Sequence, residues 1–115
     1  MGRENGILGD DISTGLNSDL ATQHDIETVE YDFNKAVQYS RIRYYGIKNK
    51  DISKCKNSPP LSEGGLVIAI SLLNIFQIYI ANDFNKICCR YGYWLNTEDI
   101  VWSSLWKQID PKTIA

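Results

Sequence analysis

Residues 66–81 read LVIAISLLNIFQIYIA, the most apolar stretch of the chain, and the reading of this run decides the fold. Ser71, Asn74 and Gln77 recur at a three-residue spacing that drifts slowly round a helix. Apolar side chains then occupy nearly every other bearing, as in a helix buried on most sides. As a membrane span the run falls short of the roughly 20 residues a bilayer needs, and its Ser, Asn and Gln would require partners in lipid. A strand or a pair of strands would suit the β-branched Val67, Ile68, Ile70, Ile75, Ile78 and Ile80. Against that, no turn signal divides the run, and it is too long for one ordinary strand. The spacing predicts a central helix over 66–81.

Working outward, Ser62 offers an N-cap ahead of Gly64-Gly65, and the polar run 47–60, closed by Pro59-Pro60, reads as a connector. Before it, Ile26, Val29, Phe33, Ala36, Val37, Ser40 and Tyr44 fall at spacings of three and four. Asp25 is placed to cap a helix over about 26–45, and Gly46 to close it. Residues 1–24 read as a flexible arm. Downstream, Phe84 to Tyr91 continue at helical spacing up to Gly92. Thr97 then caps a last helix that carries Ile100, Val101, Leu105 and Ile109 on its core face and stops at Pro111.

Composition narrows the classes further. The chain has 115 residues, 43% of them hydrophobic, with 12 basic and 14 acidic side chains and a net charge of −2. Such a balance gives no electrostatic footprint for strong nonspecific nucleic-acid binding, so a nucleic-acid partner is not expected, and the shortness of the apolar run makes a membrane partner unexpected as well. Cys55, Cys88 and Cys89 are an odd set that suits a reducing compartment, and no secretory signal opens the chain, so a cytoplasmic location is expected. Abundant Lys, Asn and Ile in so small a chain suit a viral or mobile-element gene.

Chemistry is sparse. The single histidine, His24, has no nucleophile or metal-ligand pattern beside it, and Cys55 stands too far from Cys88 for a zinc motif. Glu98 and Asp99 are explained by a helix start, and Gly64-Gly65 lacks the lysine of a phosphate loop. No catalytic residue, metal site or cofactor is therefore assigned. The aromatic residues are more informative. Trp94, Trp102 and Trp106, with Arg90, are the residue types that anchor protein interfaces, and these four form the expected protein-binding set. A helix-turn-helix over 83–109 is the nucleic-acid alternative, but its second helix would present Glu98 and Asp99 to phosphates.

The stretch Ile42-Arg43-Tyr44-Tyr45-Gly46-Ile47 resembles one in poxviral Bcl-2-like inhibitors, helical domains that bind host signalling proteins. The likeness spans these six residues and carries no functional residue over. Together the readings predict a mainly α small helical bundle, residues 25–115, with 66–81 at its centre and a loose N-terminal arm. Its expected function is that of a non-enzymatic cytosolic protein-binding module, an inhibitor, immunity or adaptor protein that occludes a partner protein, with a homo-oligomer allowed. A small membrane-associated subunit is the remaining alternative.

Overall fold

The computed structural model describes residues 23–84 and 86–109. It replaces the expected helical bundle with a seven-stranded mixed sheet and three short 3-10 turns. The strands are β1 (His24–Asp25), β2 (Ile42–Ile47), β3 (Gly65–Ser71), β4 (Asn74–Ala81), β5 (Ile87–Trp94), β6 (Ile100–Trp102) and β7 (Lys107–Ile109). From β2 to β5 they form an antiparallel meander. β1 adds in parallel to the outer edge of β2, while β6 and β7 follow each other along the far edge of β5. Of the expected arm, residues 1–22 lie outside the described residues, and His24 pairs with Tyr45.

The expected central helix is the β3–β4 hairpin. Ser71 pairs with Ile75 across Leu72, Leu73 and Asn74, a reversal without glycine or proline, closed by Leu72 N–H donating to Asn74 C=O at 2.9 Å. Side chains alternate between faces at period two, so Val67, Ala69, Ser71, Ile75, Gln77, Tyr79 and Ala81 turn inward and are buried. Leu66, Ile68, Ile70, Phe76, Ile78 and Ile80 fill the opposite face. Because both faces are apolar, the hydropathy string shows no alternation, and the polar residues that mimic a helical drift are two inward side chains and one turn residue.

The other expected helices fail for local reasons. Over 26–45 the chain makes 3-10 turns at Ile26–Val29 and Phe33–Lys35, separated by Glu30 (φ 60°) and Tyr31 (φ 57°), and Ser40 (φ 57°) precedes β2. Left-handed residues end a helix wherever they occur. Asp25 does cap, accepting from Glu27 N–H, but the element it starts is one turn long. The Ile42–Ile47 stretch that resembles a helical family is strand β2. Residues 87–91 lie in β5, and 97–109 contain β6 and β7, so neither helix of the expected helix-turn-helix forms among the described residues. Among the described residues no helix is long and apolar enough to cross a membrane.

The core lies between the inner face of the sheet and an irregular layer built from residues 26–36 and 49–61. Ile26, Phe33, Ala36 and Ile52 reach down from that layer onto Val67, Tyr79 and Cys88. Two backbone bonds zip the layer together, Phe33 N–H to Lys56 C=O at 3.0 Å and Lys56 N–H to Tyr31 C=O at 2.7 Å. Tyr79, fully buried, donates its hydroxyl to Glu63 C=O at 2.6 Å, and burial raises its pKa.

Gly92, expected to cap a helix, instead lets β6 lie against β5. A Cβ there would stand 2.5 Å from Val101 O and 3.1 Å from Trp102 Cα. Gly92→Ala should therefore push β6 away and cost about 2–3 kcal/mol in urea unfolding, well above an ordinary surface substitution. A change within about 0.5 kcal/mol would show that β6 does not need this approach.

Candidate functional site

Three of the four residues singled out from the sequence meet at one place. Arg90, on the inner face of β5, is only 8% exposed. Its guanidinium lies 3.6 Å from the Trp102 ring centroid and 4.6 Å from that of Trp106. β6 delivers Trp102 from the edge of β5, and the connection to β7 delivers Trp106. Phe33 meets Trp106 edge-on at 5.9 Å, and Trp106 Nε1–H donates to Asn57 C=O at 2.9 Å, which ties the irregular layer to residues 100–109, the C-terminal strap that carries β6 and β7.

Polar bonds fix the arginine as firmly as the rings do. Arg90 Nε–H donates to Gln77 Oε1 and Nη2–H to Asn34 Oδ1, both at 2.8 Å. Gln77 is fully buried on β4 and spends both amide protons, on Phe33 C=O at 2.7 Å and on Ala36 C=O at 3.1 Å. Asn34 is itself held in a turn, because Asp32 Oδ1 accepts from its backbone N–H at 2.9 Å and from Asn57 Nδ2 at 2.8 Å.

An arginine has five N–H donors, and two are used here. No carboxylate of a described residue pairs with Arg90. Burial pulls its pKa down to about 10, and the more distant Asp32 carboxylate offsets only part of that. Beside it opens a pocket of about 440 Å³ with Trp102 and Trp106 as apolar walls and Asn34, Ser103 and Ser104 as polar lining. The site therefore offers a planar cation with spare donors between two indoles, a geometry matched to a carboxylate.

Trp94 stands apart from this cluster. Its Nε1–H donates to Ser71 Oγ at 2.7 Å, and its ring meets Tyr39 edge-on at 5.3 Å, so it closes another end of the inner face. The sequence reading missed Gln77 and Asn34. Gln77 stands in the apolar run, where its three-residue spacing from Asn74 mimics a helical drift, although a lone amide there also signals a buried polar network.

A second feature, absent from the sequence reading, is the outer face of the sheet. Cross-strand register places Ile42, Ile70, Phe76 and Tyr91 in one row and Tyr44, Ile68, Ile78 and Cys89 in the next. Leu66, Ile80, Ile87 and Ile109 make a third. Phe76, Tyr91 and Ile109 are 47%, 45% and 51% exposed, while Leu66, Ile68, Ile70, Ile78, Ile80, Ile87 and Cys89 between them are half-buried by their neighbours.

The remaining candidates bring little chemistry. His24 packs its ring against Tyr45, with Nε2 unbonded among the described residues and no nucleophile beside it. Among those residues no group of three or more His, Cys, Asp or Glu side chains is placed to hold a metal. No family model, curated protein or solved structure matches the chain.

None of the three cysteines is in a disulfide. Cys55 donates to Asp51 C=O, and burial raises its pKa from 9.0 to about 11, with the Asp51 charge adding to the effect. A raised thiol pKa leaves roughly a hundredfold less thiolate near pH 8. Iodoacetamide at pH 8, followed by peptide mass mapping, should therefore label Cys55 of the native protein many times more slowly than Cys55 of the urea-unfolded chain. Equal rates would remove it from this environment.

Proposed function

We propose that this chain is a non-enzymatic protein-binding module that seats a carboxylate of its partner between Trp102 and Trp106 on the guanidinium of Arg90. The observation that supports this reading is Arg90 itself, buried and held in position, with three N–H donors unspent and an open pocket beside it. A buried cation without an anion is costly, so a ligand that brings the anion gains both the ion pair and the relief of that cost. The indole walls exclude water and add apolar area, the arrangement typical of residues that dominate binding. Binding there would cover the C-terminal strap of the partner-facing surface, in keeping with an inhibitor or adaptor that acts by occlusion. Cysteines outside any disulfide support a reducing, cytoplasmic setting for that role.

The test uses paired short peptides that carry either a free carboxylate or the corresponding amide, titrated against the full chain by tryptophan fluorescence. Carboxylate peptides should bind at least tenfold more tightly than amides. The preference should hold between about pH 5 and 9, where the carboxylate and Arg90 are both charged, and fade below pH 4. Ser103→Glu, at an exposed rim position, places a competing carboxylate at the pocket and should abolish the preference while leaving the fold intact. Equal affinity for carboxylate and amide peptides would overturn the reading.

A further inference from the structure

We infer that the outer face of the sheet is an interface between copies of this chain. It stands on the face of the sheet turned away from the Arg90 side chain and does not depend on the carboxylate reading, although Arg90 and Ser104 border both the pocket and the outer groove. Across β2 to β5 every outward position except Gly46 and Asn74 carries an aliphatic, aromatic or thiol side chain. Such a face is unusual in a sheet that meets water, where outward positions are ordinarily polar. Lys107, at the β7 edge opposite Cys89, is the single charged group in these rows.

The area argues for a second copy. Five strands at about 4.8 Å spacing and seven residues at about 3.3 Å rise give a footprint on the order of 550 Å² in projection. The accessible area of a corrugated face exceeds its projection, which brings it near the ~800 Å² per partner of a standard interface. It also reaches the upper end of what monomers leave exposed as one apolar patch. Chemistry selects a copy of the same chain over an unlike partner, because the face has no charge pattern for a partner to complement. Two such faces stack at about 10 Å with neither burying an unpaired carboxylate. Between Ile70, Phe76, Ile78, Cys89 and Tyr91, with Ser104 and Lys107 on its strap side, lies a groove of about 370 Å³ that can receive the ridges of the opposing sheet.

The experiment is size-exclusion chromatography with light scattering on the full chain at tens of micromolar, without detergent. The expected mass is a whole multiple, two or more, of 13.1 kDa. Phe76→Glu, at a half-exposed position, should return it to 13.1 kDa with its far-UV circular dichroism retained. Should that variant fail to fold, Tyr91→Lys makes the same test from the neighbouring strand. A 13.1-kDa particle from the unaltered chain overturns the inference, whether phosphatidylcholine vesicles or residues 1–22 are then found to cover the face. A multimer that persists in a folded variant overturns it equally, because the contact must then lie elsewhere.

Discussion

One buried amide holds the two layers together. Gln77, with no exposed surface at the middle of β4, donates to two carbonyls of the irregular layer and accepts from Arg90 of the neighbouring strand. Every bond in this relay lies where water cannot replace it, so losing one partner leaves another polar group unsatisfied. The layer it anchors is short of regular hydrogen bonding, being 3-10 turns and extended chain, and gains its placement from side-chain bonds of this kind. Through Arg90 the same relay reaches Trp102 and Trp106 and thereby fixes the C-terminal strap on the edge of the sheet.

Parts of this arrangement are legible in the residues alone. Trp102, Trp106 and Arg90 stand out as a set by residue type, and they do meet, while Trp94 belongs to the same set by type and not by place. The helical reading went astray where ordinary signals cancel. A sheet whose two faces are both apolar loses the period-two alternation that marks a strand, and the reversal at Leu72, Leu73 and Asn74 contains neither glycine nor proline. Over 26–45 the 3-10 turns set Phe33 and Ala36 three apart, as a helix would. The residues that break it are Glu30, Tyr31 and Ser40, for which a left-handed φ is not a default.

The two surfaces follow from the same constraint. Packing the irregular layer on one face leaves the other face to be covered by something else, and placing Arg90 under two indoles keeps a cation buried with donors to spare. The first supports assembly with copies of the chain and the second supports capture of a carboxylate, on opposite sides of one sheet. The two sites adjoin at β5, where Arg90 and Ser104 border both the pocket and the outer groove.

The central claim is that Gln77 and Arg90 act as one unit, and a double-mutant cycle tests it most directly. Gln77→Leu, Arg90→Met and the pair together would be compared in urea unfolding. Each single change should cost about 3 kcal/mol or more, because it leaves a buried polar partner unsatisfied. The double change should cost at least ~2 kcal/mol less than the sum of the two. Additive costs would contradict the claim and show that the two residues are held independently.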